Sequence, residues 1–312
     1  MAVINVADFI YYVSGLTNVG IIEEQISQKE SVLYMIDSGG TSEDGKKILN
    51  EITEYFNKKN LKIKIKSIIN THSHAEHCGG NKIIQQQTNC EIWISEKETG
   101  SLINPFLQPI ISWGGNPLPE INSSYYVAEK TIPSKIITSN DKITLQNGIE
   151  LSFISLPGHY FEMIGILCKT TNNKKIIFAS DGIFGRKNIG KYWIPFLYDV
   201  KEFKNSLDKI CSLNADYCIP GHGEPIEQIE ETAELNKIAI ISNEKCVLEA
   251  LKQKELTQEE ILKYVADKNE INMHIAQYML IGCTLRAYLV FLYNEKKISF
   301  SIKENKLFWH LI

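Results

Sequence analysis

The sequence predicts an α/β fold in which two β-sheets are sandwiched between helices. Three observations carry that expectation. Short apolar runs with strand-like alternation recur in two groups, within residues 9–95 and 142–180. Stretches with apolar residues at helical spacing interleave with them and follow them. Several of the strand-like runs also stop in a loop that carries a histidine or an aspartate, the way layered α/β folds assemble a site.

In chain order, Phe9 to Ser14, Val19 to Glu24 and Ser31 to Asp37 read as strands of a first sheet. Ser42 to Asn57 places Ile48, Leu49, Ile52, Tyr55 and Phe56 on one helical face, with Ser42 as the expected N-cap. Lys62 to Ile69 alternates isoleucine with lysine and closes on Ile68-Ile69, a strand entering a core. Gly79-Gly80 then allows a sharp turn into a helix over Asn81 to Gln87, and Glu91 to Ser95 returns to strand. The second group holds Lys142 to Leu145 and Glu150 to Leu156, joined by a hairpin at Asn147-Gly148, then Ile164 to Lys169 and Lys175 to Ser180.

Five of the seven histidines lie in loops where such strands end. Three belong to the run Thr71-His72-Ser73-His74-Ala75-Glu76-His77-Cys78-Gly79-Gly80. His72 and His74 can face the same way while the chain is extended, and Glu76 and His77 swing round as it turns. The pattern repeats at Leu156-Pro157-Gly158-His159, at Ile176 to Ser180 followed by Asp181-Gly182, and at Ile219-Pro220-Gly221-His222-Gly223. One loop histidine alone ordinarily meets solvent or a hydrogen-bond partner. Joint placement predicts a metal centre, and imidazoles with carboxylates suit zinc, manganese or iron better than a soft, thiolate-binding ion.

The ordered set His-x-His-x-acid-His, Gly-His, Ser-Asp-Gly and Gly-His-Gly, spread over roughly Ala7 to Pro225, resembles the metallo-β-lactamase fold superfamily. That resemblance implies a four-layer αββα sandwich and two divalent cations per chain, Zn2+ foremost, with Mn2+ or Fe2+ as substitutes. It implies one metal held by His72, His74 and His159, a second held by Glu76, His77 and His222, and Asp181 bridging the two. Asp37, at the end of an early strand, is implied to brace the ligand loop; its local sequence would also suit a cap on the turn before Gly39-Gly40. Asp181, Glu76 and Asp37 are thus the expected catalytic carboxylates. The family usually has Asp where this chain has Glu76, and the extra methylene is expected to leave the second metal looser, displaced or absent.

The chemistry of such a site follows from the cations. A pair about 4 Å apart shares a water and lowers its pKa from about 16 toward about 7, so a hydroxide nucleophile is available without a Ser or Cys. Polarisation of the attacked oxygen and of the leaving group completes the expectation of hydrolysis.

At 312 residues and 44% hydrophobic content the chain exceeds one typical domain. Two are expected, at 1–225 and at 226–312. A net charge of -4 offers no general electrostatic case for nucleic acid or an anionic membrane. No export leader is read in Met1 to Glu24, and no run of bilayer-spanning apolar length is expected. Seven scattered cysteines without C-x-x-C spacing read as reduced thiols of a cytoplasmic protein; Cys78, beside His77, is expected to pack rather than ligate.

Leu102 to Ser134 is rich in turn formers, with Trp113-Gly114-Gly115-Asn116-Pro117 and Tyr125-Tyr126 at its heart, and reads as a lid or a homodimer contact. A second aromatic cluster, Phe184 through Tyr192-Trp193-Ile194-Pro195-Phe196, is expected to wall the pocket. Arg186 within it suits either an anionic substrate group or an ordinary surface salt bridge. From Glu227 the chain reads as a long helix to about Lys254, a helix opened by the capping box Thr257-Gln258-Glu259-Glu260, an amphipathic helix over Met273 to Asn294, and a hairpin around Glu304-Asn305. Helix, helix, hairpin resembles a winged-helix module. Acidic residues slightly outnumber basic ones there, so a packing or dimerisation platform is expected rather than a phosphate-tracking surface. His274 and His310 lie outside the ligand pattern.

The leading expectation is a binuclear hydrolase of a small ester, thioester or lactone-like substrate, similar to glyoxalase II and its relatives. Alternatives are an endoribonuclease-like phosphodiesterase of the same superfamily, a mononuclear iron persulfide-type dioxygenase using His72, His159 and Asp181, and a non-catalytic regulatory module.

Overall fold

The structure is a computed structural model and describes residues 1–189, 193 and 195–312. A first sheet contains β1 (Val3–Ala7), β2 (Ile10–Val13), β3 (Val19–Gln25), β4 (Glu30–Ile36), β5 (Lys62–Ile69), β6 (Glu91–Ile94) and β7 (Lys135–Ile136), side by side in that order. Neighbours are antiparallel as far as β4 and parallel from β4 to β7. The parallel step needs a crossover, supplied by α1 (Ser42–Lys58) between β4 and β5, and by α2 (Ala75–Cys78) and α3 (Asn81–Thr88) between β5 and β6. The second sheet runs β12 (Tyr217–Pro220), β11 (Lys175–Ser180), β10 (Ile164–Lys169), β9 (Glu150–Ser155) and β8 (Lys142–Thr144).

The sheets face each other. Ile10, Ile22, Tyr34 and Ile36 of the first meet Leu151, Phe153, Ile166 and Phe178 of the second in a shared apolar layer. On the outer face of the first sheet, Ile48, Leu49, Ile52 and Phe56 of α1 and Ile84 of α3 cover Ile21, Leu33 and Ile68. On the outer face of the second, Val200, Phe203, Leu207 and Ile210 of α6 (Val200–Ser212) pack on Ile177 and Ala179. Helix, sheet, sheet, helix is the layering expected from strands that bury both faces.

Two local expectations need correcting. Ser42 is already helical, and Thr41 caps α1: its backbone is extended (φ −141°, ψ 164°), and its hydroxyl accepts the Asp44 N–H at 3.1 Å. β1 has no counterpart in the sequence reading, because its burial pattern lacks a clean alternation; it is recruited as an edge by pairing with β2.

Between β6 and β7 lie α4 (Thr99–Ile103), α5 (Leu107–Trp113) and a 3₁₀ turn at Pro119–Ile121. This segment rests on the end of the chain, where α7 (Ile229–Ala250), α8 (Gln258–Lys268) and α9 (Ile275–Asn294) precede a hairpin of β13 (Ile298–Lys303) and β14 (Lys306–Leu311). Ile121 packs with Ala276 and Met279 of α9, against which Trp113 and Tyr126 also lie. The capping box at Thr257 forms as its sequence predicts. Contrary to expectation, α9 is by length and composition apolar enough to cross a bilayer. Within the fold that apolarity is consumed internally: Ile281, Leu285, Tyr288, Leu289 and Leu292 share one core with α6, α7 and the second sheet.

Candidate metal centre

Four strand ends and one short helix bring the candidate ligands to one point. His72 and His74 leave β5, Glu76 and His77 ride the single turn of α2, His159 follows β9, Asp181 follows β11, and His222 follows β12. Their donor atoms gather in three overlapping groups, His72 with His74 and His159, His72 with His77 and Asp181, and Glu76 with His77 and His222; within each group the atoms lie within 4.8 Å of one another. All seven residues singled out in the sequence are therefore brought together.

Hydrogen bonding decides which ring nitrogens face inward. Asp37 carboxylate oxygens accept from Thr71 N–H, Thr71 Oγ1–H and His77 Nδ1–H, each at 2.8 Å. With its own hydrogen given to Asp37, Thr71 Oγ1 can only accept from His72 Nδ1, 3.0 Å away, which leaves His72 Nε2 bare. The His159 Nδ1–H goes to the Phe196 carbonyl (2.8 Å) and that of His222 to the Leu16 carbonyl (2.6 Å). Four rings are thus pinned from behind with their free nitrogens directed at the centre, as outer partners of metal-binding histidines do.

The result is a cluster of lone pairs facing lone pairs. His72 Nε2 and His159 Nε2 stand 3.0 and 3.1 Å from His74 Nδ1, while Asp181 Oδ2 lies 3.3, 3.5 and 3.7 Å from the Nε2 atoms of His159, His222 and His77. His77 Nε2 and Asp181 Oδ1 are buried and have no hydrogen-bond partner among the described residues. Such orphaned acceptors are costly unless a cation lies among them, so these residues fit divalent metal. Protonation reports the same field. Burial, then the neighbouring imidazoles, hold His72 and His74 well below the usual histidine range and His159 down to about 4, the neutral form that ligates. Against burial, which opposes both shifts, the Asp181 and Asp37 carboxylates hold His77 well above its ordinary value, and His222, His77 and His159 hold Asp181 well below its own.

Asp37, which the resemblance implies braces the ligand loop, contacts Thr71 and His77 from left-handed backbone (φ 63°); Ser180, just before Asp181, is likewise left-handed (φ 49°). Non-glycine residues held there signal a constrained turn at a site. Glu76 and His222 are the two least enclosed of the seven, with side chains 27% and 30% exposed, and the Glu76 carboxylate lies 3.8 Å from His74 Nδ1. Cys78 is buried and its thiol contacts the Ser73 and His74 carbonyls, so it packs, and all seven cysteines are free. Arg186 forms an ion pair with Glu231 at the surface.

The walls are aromatic. Phe196 lies 5.5 Å from the His74 ring and 5.8 Å from that of His159, and Tyr160 lies 4.2 Å from His74. Tyr126 feels the Glu76 charge; burial first, then Tyr125 and Glu76, push its phenol up to about 12. Phe184 is 6.1 Å from His159, but Tyr192 and Ile194 of the same expected wall lie outside the described residues. Sequence reasoning missed Glu98, a fully buried carboxylate that grips Ser73 and Glu162. Its neighbours Ser95, Glu96 and Lys97 disguise it as part of a solvated polar run.

Residues 14–222 match the model of the metallo-β-lactamase superfamily, and the chain belongs to that family. A probable metallo-hydrolase of Methanocaldococcus jannaschii is 28% identical over 161 residues, half of this chain and 69% of the relative. The hydroxyacylglutathione hydrolase GloC of Haemophilus influenzae is 27% identical over 191 residues, 61% of this chain and 79% of that one. A β-lactamase domain protein from Burkholderia ambifaria superposes with a TM-score of 0.75 at 12% identity, covering 99% of this chain and 95% of its own. The protein is a metal-dependent hydrolase.

Proposed function

We propose that the chain is a binuclear hydrolase of a small ester, thioester or lactone-like substrate. The observation that supports this most is the pair of donor groups on either side of Asp181: His72, His74 and His159 would hold one cation, and Glu76, His77 and His222 the other. When bound, such cations supply Lewis acidity and a nucleophile derived from water at neutral pH. The protein supplies the rest. Asp37, through Thr71 and His77, holds two ligands in register, and the carbonyls of Phe196 and Leu16 fix the tautomers of His159 and His222. Phe196 and Tyr160 exclude water from one side of the centre.

The relationship to a hydroxyacylglutathione hydrolase favours acyl transfer to water over phosphodiester cleavage. We read zinc as the resident ion and the cytoplasm as the compartment, the latter from seven free thiols. The terminal helices and hairpin we read as a winged-helix-like platform for the 102–134 segment or for a second copy of the chain. The test is metal analysis of the purified protein together with a screen of esters, thioesters, lactones and phosphodiesters. Two divalent ions per chain and acyl hydrolysis lost in H72A and H77A are expected. One iron per chain, or phosphodiesterase activity alone, would overturn the proposal.

A further inference from the structure

Ser73 sits between two candidate ligands, and Glu162 follows a third by three residues. One side chain holds both. Glu98 is fully buried at the start of α4; its Oε2 accepts the Ser73 N–H (3.1 Å) and the Ser73 hydroxyl (2.6 Å), and its Oε1 accepts the Glu162 N–H (2.8 Å). The grip is returned, because Glu162 Oε2 accepts the Lys97 N–H and the Glu162 carbonyl accepts the Ser95 hydroxyl, both at 2.8 Å. Segments far apart in sequence are thereby locked at one distance.

The simpler explanation, helix capping, fails. Glu98 precedes α4, yet its side chain makes no capping hydrogen bond, and all three hydrogen bonds it accepts come from the loops that carry His72, His74 and His159. A carboxylate there carries a desolvation cost that an apolar side chain would not. Burial pushes its pKa up to about 7, against the Ser73 and Glu162 donors that pull it down.

We propose that Glu98 is a positioning residue that sets the spacing of His72 and His74 against His159, and with it the affinity of the three-histidine cation site. This rests on the reading that those histidines hold a cation. A glutamine keeps the shape but replaces one acceptor oxygen with an NH2 group, which must then face either the Ser73 donors or the Glu162 N–H. One ligand loop is released whichever way the amide turns.

The experiment is titration of the full chain with Zn2+ and with Co2+ in competition with a chromophoric chelator, for wild type, E98Q and E23Q. Glu23 is an equally buried carboxylate in β3 that accepts from Tyr11 and Ser31 rather than from a ligand loop. For E98Q, first-cation affinity is expected to fall about 10- to 100-fold with an altered Co2+ absorption spectrum, the range seen when outer partners of ligands are removed. E23Q is expected to lower Tm while binding the cation normally. Affinity of E98Q within about twofold of wild type, or an equal loss in E23Q, would overturn the proposal. Should E98Q not fold, S73A, which removes the hydroxyl contact alone, must still weaken binding severalfold; unchanged affinity there overturns it too. A wild-type protein that binds neither ion defeats the functional reading as well, whereas a wild type that binds and an E98Q that binds equally defeat this inference alone.

Discussion

Gly221→Ala adds one methyl group at the most crowded point of the centre. An alanine Cβ at this position would lie 2.2 Å from Asp181 Oδ1 and 2.9 Å from His77 Cε1. The backbone cannot retreat, because the Gly221 N–H donates to the Ser180 carbonyl and the Gly221 carbonyl accepts the Asn18 N–H, both at 2.8 Å. Gly221 is not among the glycines with positive φ, so the effect is steric and not conformational. Restoring van der Waals contact requires Asp181 Oδ1 to move by roughly 1 Å, a displacement that costs about 10²-fold in rate when catalytic geometry is involved. Overpacking adds about 1–3 kcal/mol of destabilisation. The assay is kcat/KM on the hydrolysed ester or thioester, with metal content and Tm measured alongside. Gly100, in α4, has nothing within 4 Å of an added Cβ, so G100A serves as the control and is expected to be neutral or stabilising by about 0.5–1 kcal/mol. A G221A protein with full metal content and activity within about threefold of wild type would refute the assignment of Asp181 to the centre.

Further outcomes follow from the same geometry. D37N keeps a residue type that tolerates φ 63° but turns one of two acceptor oxygens into a donor, so stability should drop by about 1–3 kcal/mol and metal affinity by about 10- to 100-fold. Urea denaturation and chelator competition check this, and wild-type affinity would contradict it. Chelation should lower Tm, because His77 Nε2 and Asp181 Oδ1 are left buried without partners; added metal at about 100 times its Kd should restore about 2.7 kcal/mol. A Tm indifferent to chelator and metal would speak against the site. Glu98 is raised from 4.5 to about 7, so between those values the folded state keeps a proton the unfolded chain has released, and this group's contribution to stability falls as pH rises through that window. Denaturation at about pH 5 and about pH 8 should show a smaller pH dependence in E98Q than in wild type; equal slopes would remove Glu98 as the cause.

The sequence by itself determined the central strands, the layering and the seven candidate ligands, though not the edge strands β1 and β7, for one physical reason: an apolar run that stops at a histidine or aspartate advertises both a buried strand and a polar group at its mouth. Tertiary structure decided what local pattern does not encode. The carbonyls of Phe196 and Leu16 orient His159 and His222, yet a backbone carbonyl leaves no mark in the identity of its residue. α9 reads in the sequence as an amphipathic helix, yet it is apolar to bilayer length, and α6, α7 and the second sheet share a core with that apolar surface. Glu98 reads as solvated charge, and becomes a brace only because folding sets it between Ser73, 25 residues away, and Glu162, 64 residues away. Ligand identity follows from side-chain chemistry, whereas the distance between ligands is fixed by long-range hydrogen bonds that exist only once the chain has closed on itself.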